Sequence, residues 1–229
     1  MLPLKDELPL RRIPFVNVIL ILLNILVFIW QVSLPPREQV QVYQLALIPA
    51  QVTQGITPDD FFHILTSMFM HGGLAHIGGN MLYLWIFGDN VEDAMGHARY
   101  LFFYLFGGFL ASAAHILTNP YSTVPTVGAS GAIAAVLGAY LVLYPRARVL
   151  TVVAFGFFLR LTMIPASIVL GLWFLLQLFQ GVFSLGMPPD MGGVAFWAHI
   201  GGFVAGLFLG RVLAKYTTYY DELVNWRSF

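Results

Sequence analysis

Apolar residues along this chain fall in long unbroken runs rather than in alternation with polar ones. The first run, about 13–34, follows Lys5, Arg11 and Arg12 and meets no charge until Arg37. A secretory signal has an apolar core of about 7–15 residues, so this longer run reads as a retained membrane anchor. Further runs cover about 72–90, 98–118, 129–145, 164–185 and 193–213. Each is near the roughly 20 residues that a helix needs to cross hydrocarbon. Backbone groups find no water there, so helices are the predicted form. The segment 149–163 is apolar but interrupted by Arg160. It reads as interfacial, or as the start of the fifth span.

The pattern thus predicts an all-α polytopic membrane protein with six spans. Residues 1–12 form an N-terminal segment, 13–213 the membrane domain with a first loop at about 35–71, and 214–229 a tail. Composition agrees. The chain is 59% hydrophobic and 10% charged, against about 25% charged in soluble domains. Between Arg99 and Arg146 no Lys, Arg, Asp or Glu occurs. The net charge of zero gives no reason to expect a nucleic-acid partner. The absence of cysteine excludes disulfides, thiolate nucleophiles and cysteine-ligated metals.

Basic residues set the expected orientation. With six spans, one side carries Lys5, Arg11, Arg12, Arg99, Arg146, Arg148, Arg160, Arg211, Lys215 and Arg227, and the other only Arg37. That asymmetry predicts cytoplasmic termini and an outward first loop. The aromatic "WRSF" at the C-terminus reads as an interfacial anchor, and Glu92 with Asp93 as the watery end of the second helix.

Polar residues can then be placed by depth. Ser130, in "GASG", stands at the outer end of the fourth span, and His199 about six residues inside the outer end of the sixth. His76 and Asn80, one turn apart, share a face of the second. Polar groups at such depth are costly and usually face a bundle interior or a water-filled cavity. A serine hydroxyl needs an adjacent base to become a nucleophile, and His199 is the candidate. His76, the Asn80 amide and the Ser130 backbone N–H could stabilise a tetrahedral oxyanion. No carboxylate lies at that depth, which predicts a Ser–His dyad. Gly131, Gly202 and Gly206 would let the fourth and sixth helices approach closely, the last two as G-x-x-x-G.

Taken singly, each of these residues has a plainer reading. Ser130 could be a packing residue, Asn80 interhelical glue and His199 a hydrogen-bonded core histidine. His71 and His76 could suggest a metal pair, but no carboxylate or thiolate joins them, so no metal is expected. Together, at one depth on three helices, the residues favour catalysis. His115, near the outer end of the third span, has no argued role.

The ordered motifs resemble the rhomboid family of intramembrane serine proteases. They are "TSMFMH" before the second span, H-x4-H-x3-N at His71, His76 and Asn80, then Glu92 and Gly96. G-A-S-G at Ser130 and A-H-x-x-G-x-x-x-G from Ala198 to Gly206 follow. The resemblance implies a six-helix core, Ser130 as nucleophile, His199 as base, and His76 with Asn80 at the oxyanion hole. It also implies His71 at the site's entrance and Gly128 supporting the site. The substrates implied are transmembrane proteins cut near the outer end of a helix, in a lipid setting and with no cofactor. Two departures stand out. Phe62 and His63 replace a Trp-Arg pair in the first loop, and Ala134 replaces a tyrosine that packs under the histidine. The latter predicts that another aromatic, Phe196 or Trp197, holds the His199 ring. A non-catalytic rhomboid-like helix-binding protein and a proton-coupled transporter are the alternative readings. The second is disfavoured by the lack of an inverted repeat or a mid-membrane carboxylate.

Overall fold

A computed structural model describes residues 1–155, 158–186 and 193–215. The tail 216–229, with its expected "WRSF" anchor, lies outside the described residues. The first apolar run becomes α1 (Phe15–Ser33). The first loop is not extended. It forms α2 (Pro36–Val42), α3 (Pro49–Gln54) and α4 (Pro58–Ser67), each opened by a proline at its first position. Proline suits that place because its missing N–H would be unpaired there anyway. Asp60 accepts the Thr57 N–H at 2.7 Å, the return half of a capping box that starts α4.

The second apolar run is a helix interrupted by a π turn: α5 (Leu74–Tyr83), the turn Leu84–Gly88, then α6 (Asp89–Met95). A π turn disturbs the backbone ladder, and Asn17 of α1 donates to the Leu84 carbonyl at 3.0 Å. Tyr100 in turn donates to Asn17 Oδ1 at 2.8 Å. The remaining helices are α7 (His97–Thr118), α8 (Ser130–Leu143), α9 (Ala166–Ser184) and α10 (Phe196–Leu213). By length and composition α1, α7, α9 and α10 are long and apolar enough to cross a membrane. α8 is shorter and sits at the centre, with every residue from Ala132 to Tyr140 buried. α1 and α9 instead expose aliphatic faces, among them Leu22, Leu26, Leu172, Leu175 and Phe179. A helix apolar all round belongs in such a core or in lipid.

The segment 149–163 is not the start of α9. It forms β2 (Arg148–Phe155) and β3 (Phe158–Pro165), paired antiparallel, with β1 (Leu2–Asp6) added on the other side of β2. The run "VLTVVAF" is dense in β-branched residues that fit a pleated surface better than a helix. Cross-strand partners share a face, so Val149, Thr151 and Val153 turn one side of β2 into the core. Asp6 closes this region: its Oδ2 accepts from Tyr140 at 2.6 Å and from Asn90 at 2.8 Å.

Glu92 corrects another expectation. It is 1% exposed and accepts the Val16 and Asn17 N–H groups, at 3.1 and 2.7 Å, at the start of α1, with His97 on the same carboxylate. An anion there satisfies orphan N–H groups and complements the helix dipole.

α8 and α10 touch backbone to backbone. A Cβ on Gly206 would collide with the Ala135 carbonyl oxygen, one on Gly202 with that of Gly131, and one on Gly138 with that of Phe203. Only glycine fits at these crossings, as small-residue packing between membrane helices requires.

Candidate active site

α8 starts at Ser130, two residues after Gly128, whose φ of +129° favours glycine. The Gly128 N–H donates to the Ser67 carbonyl at 2.8 Å and the Thr126 N–H to that of Leu47 at 2.7 Å. The loop that delivers Ser130 is therefore tied to the first loop. His115 joins this tie through its Nε2, 3.1 Å from Thr126 Oγ1.

α10 carries His199 across from α8. Its Nε2 stands 2.8 Å from Ser130 Oγ, and the ring is 8% exposed. Nδ1 lies 2.7 Å from Gln177 Oε1 on α9. The aromatic beside the ring is neither Phe196 nor Trp197 but Trp173, one turn before Gln177, at 5.9 Å between centroids. Trp197 instead donates its indole N–H to the Gly181 carbonyl at 3.1 Å.

His76 approaches from α5. Its Nδ1 receives the Gly72 N–H at 3.4 Å, leaving Nε2 on the other side of the ring. A Cβ on Gly128 would lie 2.7 Å from that Nε2 and 3.6 Å from Ser130 Oγ. The missing side chain thus leaves the gap between the serine and the histidine open. The first N–H groups of α8, at Ser130 and Gly131, have no intrahelical acceptor and carry the positive end of the helix dipole.

Asn80 sits one turn beyond His76, and its Nδ2 is 2.9 Å from His71 Nε2. His71 is 2% exposed and packs edge-on against His76 at 5.1 Å. It does not line the cavity; it backs Asn80, and its own N–H donates to Gln31 of α1 at 3.0 Å. Ser130, His199, His76, Asn80 and Gly128 all line one cavity of about 980 Å³, whose rim includes the 43–47 and 122–128 loops. Gly131 also lines it, while Gly202 and Gly206 lie at the α8–α10 crossing. Phe62, in the place of the absent Trp-Arg pair, is exposed.

Four residues at this site had no role in the sequence reading: Gln177, Trp173, Thr126 and His115. Gln177 carried a usable signal, being a polar residue inside the apolar run "GLWFLLQLF". Such a residue has a high cost in hydrocarbon unless it finds a partner.

A helical membrane bundle that brings a serine and a histidine together in one cavity defines the class of protein. A model of the Rhomboid domain matches residues 58–216, and the chain belongs to the rhomboid family. It is similar to the rhomboid protease GluP of Bacillus subtilis, 32% identical over 158 residues, 69% of this chain and 27% of that protein. It is also similar to the mitochondrial rhomboid protein 1 of Saccharomyces cerevisiae, 28% identical over 66% of this chain and 42% of that protein. The human mitochondrial presenilin-associated rhomboid-like protein is 27% identical over 90% of this chain and 48% of its own length. The chain thus spans less than half the length of each of these three relatives.

Proposed function

We propose that the protein is an intramembrane serine endopeptidase that hydrolyses peptide bonds in or near transmembrane helices of membrane-protein substrates. The observation that carries the reading is the 2.8 Å approach of Ser130 Oγ to His199 Nε2 inside the cavity that His76 and Asn80 also line. That distance is within reach for proton transfer in general-base catalysis.

In this reading His199 Nε2 takes the Ser130 proton as Oγ attacks the scissile carbonyl. His76, Asn80 and the Ser130 N–H donate to the oxygen that becomes charged, each donor being worth about 10²–10³ in rate. His199 then gives its proton to the leaving amine. A water, with His199 again as base, releases the acyl group from Ser130. The chemistry needs no metal or organic cofactor, because serine, base and donors are all side chains and backbone. A serine–histidine pair attacks esters and amides alike, and the likeness to the rhomboid protease GluP supports a peptide bond as the one cut. The substrate is a membrane protein because the cavity is embedded among lipid-facing helices. For a chain of six spans the basic residues support both termini in the cytoplasm, and the likeness to GluP of Bacillus subtilis supports a prokaryotic plasma-membrane setting.

A serine-directed fluorophosphonate, applied to protein in liposomes alongside a transmembrane substrate, tests the reading. Wild type should be labelled and should cleave, and Ser130→Ala should do neither while unfolding at an unchanged temperature. Cleavage or labelling that persists in Ser130→Ala would overturn it.

A further inference from the structure

We infer that Gln177 is a positioning residue: its side-chain carbonyl fixes the His199 tautomer and so makes Nε2 the proton acceptor from Ser130. The inference deepens the proposed function and rests on it for its catalytic meaning. Its structural core, the state of the imidazole, stands apart from activity.

The geometry is a three-membered line across α8, α9 and α10. Ser130 Oγ, His199 Nε2, His199 Nδ1 and Gln177 Oε1 follow one another at 2.8 Å across the first gap and 2.7 Å across the second. An amide oxygen only accepts, so Nδ1 must carry the ring proton. A neutral imidazole has one donor and one acceptor, which leaves Nε2 free to accept. The reverse arrangement would have Nε2–H donating to the serine and would leave no base. A carboxylate usually enforces this choice, and none is available here. Among the described residues, the titratable groups acting on His199 are His76 of α5 and His115 of α7. α8 and α9 carry no Asp, Glu, Lys, Arg or His, and α10 carries only His199 itself and Arg211, three turns away.

Burial supports a specific role for the amide. Gln177 is 8% exposed, while its neighbours Leu175, Leu176, Leu178 and Phe179 are exposed on the outer side of α9. The side chain is thus the polar group that α9 turns inward at this level. Trp173, one turn earlier, lies against the same ring and restricts its rotation. An amide also differs from a carboxylate in a useful way. It orients the ring without adding a net negative charge at a buried position, where an unpaired charge is costly.

The test uses the full-length protein in liposomes with two variants, Gln177→Met and Gln177→Glu. Methionine keeps the length and removes the acceptor. We expect Gln177→Met to lower kcat and the fluorophosphonate labelling rate about 10–100-fold, with KM unchanged, as misorientation of a reacting group does. Gln177→Glu should keep most of the activity. It should also move the midpoint of the labelling pH profile upward by about one unit, because an anion favours the charged imidazole. Nitrogen-15 NMR of the His199 ring reads the tautomer directly: Nδ1–H in wild type, a mixture in Gln177→Met. A Met variant with wild-type labelling rate and an unmixed Nδ1–H ring would overturn the inference. If the Met variant does not fold, an unshifted midpoint in folded Gln177→Glu overturns it instead. Failure of the proposed function looks different: Ser130 would remain unlabelled in wild type, while the ring nitrogens still reported the Gln177 bond.

Discussion

The amide nitrogen of Asn80 lies 2.9 Å from Nε2 of His71, so one of its two N–H groups is committed to a buried neighbour. The other remains for the cavity that Asn80 lines. His71 therefore fixes the angle at which Asn80 presents its remaining donor, and the two residues should behave as a unit. Asn80→Ala should lower kcat about 10²-fold with KM little changed. His71→Ala should lower it less, and the double variant should be no worse than Asn80→Ala alone, as coupled sites require. Additive losses in a cleavage assay would show that His71 acts elsewhere.

Gly206 faces the Ala135 carbonyl with no room for a side chain. Gly206→Ala should therefore push α8 and α10 apart. Overpacking of this kind costs about 1–3 kcal/mol. Thermal unfolding in detergent should fall by several degrees, and the labelling rate of Ser130 should drop even in the folded fraction. Gly73→Ala meets nothing within 4 Å and serves as the control.

Glu92 holds two backbone N–H groups at the start of α1. Glu92→Ala leaves both unpaired in a buried place, at about 1–3 kcal/mol for each group. A lower melting temperature is expected, with the catalytic constants of the remaining folded protein unchanged. A normal melting temperature would mean that water or another side chain replaces the carboxylate.

Asp6 lies in β1, outside the bundle, and burial raises its carboxyl from the usual 3.8 to about 6, against the lowering effect of the Tyr140 hydrogen bond. A raised acid binds its proton more tightly when folded. Its contribution to stability is therefore greatest below about pH 4, declines as pH rises toward 6, and is constant above that. Asp6→Asn keeps an oxygen acceptor and removes the ionisation. It should reduce the slope of the melting temperature between about pH 4 and 6, leaving the part due to the neighbouring carboxyl of Asp89, and should raise the melting temperature at pH 7, which a pH series of unfolding scans will read.

Much of this molecule was legible because lipid imposes a coarse code. The runs at 13–34 and 98–118 became α1 and α7 nearly residue for residue, since length and apolarity alone decide such helices. The motif at Ser130 and the histidine at 199 could be paired by depth before any distance was known. The β2–β3 hairpin was missed because an apolar run interrupted by Arg160 was weighed only by its place, at the interface or at the start of a span, and not by its backbone form. Its β-branched content carried the contrary signal. Glu92 was misread because charge near a span end ordinarily means water, and nothing local says that the start of α1 comes to meet it. Gln177 and Trp173 were missed for a related reason. Their partners are on α10, and sequence distance conceals which face of α9 turns inward.

The backbone contact between α8 and α10 has a mechanical consequence. The gap between Ser130 and His199 is set by atoms that are missing, at Gly138, Gly202 and Gly206, and not by side chains that could repack. Carbonyl against Cα is among the stiffest contacts that a bilayer can squeeze. Lateral pressure, acyl-chain length and membrane tension should therefore leave the intrinsic reactivity of the serine nearly untouched. They should act instead on the lipid-facing face of α1, which lends no side chain to the serine or its base. A membrane of altered thickness would change how often a substrate arrives, and hardly at all how fast an arrived substrate is cut.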